Sequence, residues 1–147
     1  MTGKNAIISV ENEHAKWPVR VEREGNAMGY VRANVLIGSA DGSVIKSVEF
    51  LADTGAYYTT IPPKLAEELN IKPMAKTKLT LADKRVVEAG ISLAYIKILD
   101  REGVFSIAIL DVPEPLLGVS TLEGLGIKVD PTTGKFEYSR AYGLALI

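Results

Sequence analysis

Phe50-Leu51-Ala52-Asp53-Thr54-Gly55-Ala56-Tyr57-Tyr58-Thr59-Thr60-Ile61 is the stretch whose reading decides the fold. Val48, Phe50, Leu51 and Ala52 are β-formers or small apolar residues, and they run straight into an acid, a hydroxyl and a glycine. Tyr57 to Ile61 resumes a β-prone run, so the stretch reads as strand, tight turn, strand. Gly55 allows positive φ and carries no Cβ to hold a substrate backbone away, which leaves the Asp53 carboxylate at the floor of a cleft. The Thr54 hydroxyl is able to bond backbone and fix the turn. Asp-Thr-Gly alone is a weak signal that recurs by chance; the apolar runs on both sides strengthen it.

Upstream, Tyr30, Arg32, Asn34 and Leu36 alternate with Val31, Ala33, Val35 and Ile37, the period of a half-buried strand. Asp41-Gly42 is a favoured hairpin turn, and Ser43 to Phe50 returns as the strand that delivers Asp53. Residues 1–27 differ, because Asn, Glu, Lys and Arg interrupt every apolar run except Ala6 to Val10. They read as an N-terminal extension or edge strand, or as a removable segment, ahead of a domain spanning 28–147.

Downstream, Pro63 suits the first position of a helix through Leu69 that Asn70 closes and Pro73 prevents from continuing. Leu65 and Leu69, spaced i,i+4, are expected to pack on the sheet. Leu79 to Gly90 gives two β-prone arms around a polar tip, and Ile91–Leu99 and Val104–Leu110 read as strands joined by an Asp100–Gly103 linker. Asp111 to Pro115 breaks the sheet ahead of Leu116-Leu117-Gly118, whose glycine, by the resemblance drawn below, would let a strand pass close to the Asp53 loop. A helix over Val119–Leu125 follows, then a hairpin of Ile127–Asp130 and Lys135–Tyr138. The uncharged run Ala141 to Ile147 would invite aggregation as an exposed edge, a hazard that pairing with a second subunit removes.

Composition narrows the chemistry. At 147 residues, 47% hydrophobic and 24% charged, the chain is most simply one domain with a core of its own. A net charge of −1 points to neither nucleic acid nor an acidic surface as partner. Lys72, Lys76, Lys78, Lys84 and Arg85 gather, but interleaved acids make them a solvated face. With no cysteine and a single histidine, His14, thiol nucleophiles, zinc-thiolate sites and a histidine-based triad have little to build on, and neither metal nor cofactor is expected. No apolar run is long enough for a signal-peptide core or a membrane span, so a cytoplasmic location is the default.

Ala52-Asp53-Thr54-Gly55-Ala56 after an apolar strand, with Leu116-Leu117-Gly118 ahead of a helix some sixty residues on, resembles the retropepsin-like aspartic proteases over about residues 28 to 138. The resemblance implies an all-β fold, an acid-protease barrel with two short helices and one lobe per chain. It implies that Asp53 is the catalytic carboxylate, that Thr54 locks two active-site loops together and that Gly55 faces substrate. It makes Leu79–Gly90 a flap whose tip, Ala82, Asp83 and Lys84, offers backbone groups to a peptide. Lys84 stands where relatives usually carry glycine. Apolar pockets around Ala56, Tyr57, Ile61 and Leu116 would favour an extended peptide with hydrophobic side chains beside the cleaved bond.

Peptide hydrolysis of this kind needs two carboxylates sharing one proton, and the chain has one Asp-Thr-Gly turn. Two lobes do not fit in this length, so the remaining route is a homodimer in which Asp53 of each subunit meets on a two-fold axis. Ala56 lacks the hydroxyl that would stabilise the ionised form, which suits activity at mildly acidic to neutral pH. Three alternatives stand beside this reading: a dimeric peptide-binding or regulatory protein of the same fold with weak or no proteolysis, an unrelated small β-barrel, and a phosphoaspartate enzyme, for which no partner motif is evident.

Overall fold

The alternation from Tyr30 to Ile37 becomes the central strand of the molecule. The computed structural model describes the backbone of residues 4–10, 19–24, 29–81, 83–130 and 132–141, with side chains from residue 31 onward within those spans. In chain order the elements are β1 (Lys4–Val10), β2 (Val19–Glu24), β3 (Gly29–Ser39), β4 (Ile45–Ala52), β5 (Thr59–Ile61), α1 (Pro63–Glu68) and β6 (Ala75–Thr80). They continue with β7 (Val86–Ile98), β8 (Arg101–Ile109), β9 (Leu116–Leu117), α2 (Val119–Leu125), β10 (Ile127–Asp130) and β11 (Lys135–Tyr138). Nine strands form one sheet in the order β1-β2-β3-β4-β9-β5-β8-β7-β6, and an added β3–β7 pairing closes β3, β4, β9, β5, β8 and β7 into a ring. β10 and β11 make a separate two-stranded sheet. This is the all-β, one-lobe barrel with two short helices that the sequence led us to expect.

Val31, Ala33, Val35 and Ile37 of β3 face inward and meet Phe50, Ile96, Ile98, Ile107 and Leu117 in the core, while the intervening residues of β3 stay partly exposed. Proline shapes the next connection. Pro62 precedes α1 in extended conformation and Pro63 occupies its first turn, where the missing N–H costs nothing. Leu69 is buried and Leu65 packs against the core, while Asn70 adopts φ 58 and ends the helix.

Two expected boundaries shift. The returning strand of the first hairpin starts at Ile45, not Ser43, because Asp41 gathers Ser43 into the turn: its Oδ1 accepts the Ser43 N–H at 2.9 Å and the hydroxyls of Ser43 and Ser39 at 2.8 Å. The Asp100–Gly103 linker shrinks to Leu99-Asp100, with Leu99 at φ 59, and Arg101 to Gly103 belong to β8. Burial of Arg101 explains this. Its Nη1 donates to the carbonyls of Leu125, Gly126 and Arg140 at 2.9, 3.0 and 2.9 Å, and its guanidinium lies 3.8 Å from the centre of the Tyr138 ring. A cation at the carbonyl end of α2 satisfies acceptors that the helix leaves open. Burial and the adjoining Asp100 carboxylate push the Tyr138 hydroxyl up to about 12.

The strands expected near Ala6–Val10 and Pro18–Val21 are present as β1 and β2, paired antiparallel, and β2 continues onto β3. Residues 142–147, most of the apolar tail read as a dimer edge, lie outside the described residues, as does His14.

Candidate active site

β4 ends at Ala52 and hands the chain to a turn pinned from three directions. From below, Leu51 N–H donates to Pro115 O at 3.0 Å and Asp53 N–H to Leu117 O at 2.9 Å, so β9 fixes the height of Asp53. Within the turn, Gly55 N–H donates to Asp53 Oδ1 at 2.9 Å and Ala56 N–H to Asp53 O at 3.0 Å. From the side, Val119 N–H reaches Ala56 O at 2.8 Å and Ser120 N–H reaches Tyr57 O at 2.9 Å.

Gly118 makes that last approach possible. A Cβ there would sit 2.4 Å from the Tyr58 carbonyl carbon and 2.6 Å from Thr59 N, closer than any side chain tolerates. The close pass expected of Gly118 is therefore to the Tyr58–Thr59 peptide at the end of the loop. Gly118 N–H donates to Thr59 Oγ1 at 3.0 Å, and Thr59 Oγ1 pairs with Thr121 Oγ1 at 2.7 Å in a buried contact that ties β5 to α2. Sequence reading took Thr59 only as a β-former; nothing local signals a partner 62 residues away.

Above the turn lies a cleft of about 350 Å³. Asp53, Gly55, Ala56, Tyr57 and Leu116, all expected at the site, line it. Ile61 does not: it is 0% exposed in the core, and its neighbour Thr60 lines the cleft in its place. Tyr58, Leu110 and Val112 complete the walls, and Leu79, Thr80 and Leu81 overhang them. Thr54 is exposed beside the cleft, and Gly118 is buried beneath the loop. Tyr57, 64% exposed, meets Tyr58 edge to face at 5.0 Å between ring centroids. The wall that carries Val112 and Leu116 is braced from β3, where Arg32 Nε and Nη2 grip Glu114 Oε1 and Oε2 at 3.1 and 3.0 Å. Such a two-pronged pair fixes orientation as well as distance.

The overhang is a hairpin of β6 and the first part of β7, which runs unbroken from the flap into the barrel. At its tip Leu81 N–H donates to Arg85 O at 2.8 Å and Lys84 N–H to Leu81 O at 2.9 Å. Asp83 and Lys84 do not line the cleft. The Asp83 carboxylate instead turns to Arg85, whose backbone N–H reaches Oδ1 at 3.0 Å and whose Nε reaches Oδ2 at 2.6 Å. These two donors hold the Asp83 carboxyl below its ordinary value. Ala82 lies outside the described residues. Lys76 and Lys78 are exposed on the flap, Lys76 3.9 Å from Glu88, in keeping with a solvated face.

Among the described residues, no group of three or more His, Cys, Asp or Glu could hold a metal ion, and no helix is long and apolar enough to cross a membrane.

The family described as aspartyl protease matches residues 35–121, a span holding the Asp53 turn, the flap and Leu116-Leu117-Gly118. Among solved structures, the chain is similar to the EIAV protease complexed with the inhibitor HBY-793, at 23% identity and TM-score 0.56, covering 74% of this chain and 99% of that one. It is similar also to the retroviral protease-like domain of Ddi1 from Leishmania major, at 12% identity and TM-score 0.50, covering 80% and 93%. A retropepsin-like aspartic protease from Rickettsia conorii aligns at 20% identity and TM-score 0.48, covering 69% and 77%. No curated protein matches the sequence. A matched span of this length shows that the chain belongs to the aspartyl protease family, and the shared barrel shows that its fold is the retropepsin-like one.

Proposed function

We propose that this chain is an aspartic endopeptidase whose catalytic pair is Asp53 and the Asp53 of a second, identical subunit. One observation carries the reading: Asp53 stands at the floor of the cleft with Oδ1 held by Gly55 N–H, and among the described residues no side chain pairs with Oδ2. Two such carboxylates brought together cannot both ionise, so they share a proton. The ionised one takes a proton from water as its oxygen attacks the peptide carbonyl carbon, and the protonated one gives its proton to the carbonyl oxygen. Collapse of the tetrahedral diol breaks the C–N bond as the protonated carboxyl gives its proton to the leaving nitrogen and the other carboxylate takes the proton of a diol hydroxyl, which restores the shared proton.

Thr54, exposed in a single chain, is free to lock onto the loop of the second copy, and Gly55 leaves room for a substrate backbone. Leu79, Leu81, Val112 and Leu116 give the cleft apolar walls, which suits an extended peptide with hydrophobic side chains flanking the cleaved bond. Residues 28–147 form the catalytic unit in this reading, with 1–27 an extension whose β2 pairs with β3, and a cytoplasmic setting is the natural one for mildly acidic to neutral activity.

A second reading, a dimeric peptide-binding protein without hydrolysis, is favoured by one observation: the flap tip carries Lys84 in place of a glycine. Incubation with a mixed peptide library, cleavage sites read by mass, separates the two when Asp53→Asn is run beside the wild type. The protease reading expects cleavage by wild type and a loss of about 10²–10⁴-fold in the variant, with binding retained. Binding without cleavage by the wild type would establish the second reading, and equal cleavage by both forms would remove Asp53 from the chemistry.

A further inference from the structure

Lys84 adopts φ 70, a left-handed conformation that L-residues other than Asn and Asp seldom take. A flap tip that bends this way without glycine needs something else to hold it. Asp83 is the group in position: Oδ1 accepts the Arg85 N–H at 3.0 Å and Oδ2 takes Arg85 Nε at 2.6 Å, so one side chain grips the backbone and the guanidinium of the residue two on, across the exposed Lys84. The turn is then closed by Lys84 N–H to Leu81 O and Leu81 N–H to Arg85 O. Both bonds converge on Leu81, and Leu81 overhangs the cleft that contains Asp53.

We infer that Asp83 is a positioning residue: its clamp on Arg85 holds Lys84 in the left-handed turn and thereby sets Leu81 over the cleft, the role a glycine at the tip would otherwise fill by conformational freedom alone. The activity consequence rests on the protease reading; the conformational one does not. Asp83 touches neither substrate nor reacting atoms in this scheme. Its effect passes through the turn, and glycine at position 84 should make it dispensable.

The test is a rescue cycle on the full chain: Asp83→Ala, Asp83→Asn, Lys84→Gly and the double variant Asp83→Ala/Lys84→Gly. Amide hydrogen exchange at Leu81 and Lys84 reads the turn directly. Asp83→Ala should speed exchange there by about five- to tenfold, the penalty for an unsupported left-handed residue. Asp83→Asn keeps an acceptor for the Arg85 N–H and should lose less, and the double variant should return to wild-type protection. With a peptide cut by the wild type, Asp83→Ala should raise KM several-fold with kcat changed less, and Lys84→Gly should restore KM. Unchanged exchange in Asp83→Ala, or a loss that Lys84→Gly does not repair, would overturn the inference. If the wild type cuts no peptide while the exchange pattern follows the cycle, the protease reading fails and the clamp stands.

Discussion

The turn at Asp53, which lines the cleft, and the turn at Asp83, which does not, are built on the same bond. In each, an aspartate Oδ1 accepts the backbone N–H two residues on, from Gly55 at 2.9 Å and from Arg85 at 3.0 Å. The difference lies in what the second residue on carries. Gly55 has no side chain, so Asp53 Oδ2 is left to the cleft; Arg85 brings a guanidinium that occupies Asp83 Oδ2 at 2.6 Å. Asp41 and Asp130 repeat the pattern with Ser43 and Thr132 N–H groups at 2.9 Å, and Asp41 adds the hydroxyls of Ser39 and Ser43. Four acids thus close turns in the same way; of the four, Asp53 lines the cleft and Asp83 has its Oδ2 taken by a guanidinium.

The largest effect that could break this comparison comes from exchanging each carboxylate for its amide. Asparagine keeps the turn acceptor at either position, so Asp53→Asn should remove about 10²–10⁴ in peptide cleavage while Asp83→Asn loses only a small factor, both measured as kcat/KM at equal chain concentration. Similar losses at the two sites would mean that the turns do not divide chemistry from structure. A middle-sized effect concerns the support under the Asp53 turn. Thr59→Val strands the Thr121 hydroxyl and the Gly118 N–H in a buried place, and chemical denaturation should show a loss of about 1–3 kcal/mol for each group left unpaired. A neutral result would show that β9 and Leu117 hold the loop unaided.

The smallest effect is a titration. Asp41 is lowered from 3.8 to about 2, first by the Ser43 backbone N–H and then by the Ser43 and Ser39 hydroxyls. A carboxyl lowered in the folded state stabilises it fully above the unfolded value, and that contribution fades as pH falls from 3.8 through about 2. Carboxyl chemical shifts followed by NMR should therefore place Asp41 near the lower figure and Asp83 below the ordinary value, with the Asp41–Ser43 turn loosening only at the acid end. An ordinary titration of Asp41 would mean that its turn bonds are not formed in solution.

Much of the scaffold was legible because its signals are local. Pro63, Asn70 and Pro73 mark α1, apolar alternation marks β3, and the bounds of α2, β10 and β11 agree with those read from turn residues. What escaped depends on contacts across the chain. β5 is three residues long and buried throughout, so period-two reasoning had no exposed face to identify and Ile61 was assigned to the cleft when it belongs to the core. Arg101 looked like part of a polar linker; its place in a strand follows from the carbonyls of α2 and of Arg140 that it meets only after folding. Leu79 and Leu81 were read as a strand arm, and their part in the cleft depends on how far the flap leans over Asp53.

The central claim is that one chain supplies half of a catalytic pair and an identical chain supplies the rest. Wild-type protein and Asp53→Asn, mixed in equal amounts and allowed to exchange subunits at fixed total concentration, test it most directly. If both carboxylates are needed, only pairs of two wild-type chains cut, and the rate should fall to about a quarter of that of the pure wild type. A fall to only about one half, the proportion set by simple dilution of self-sufficient chains, would contradict it.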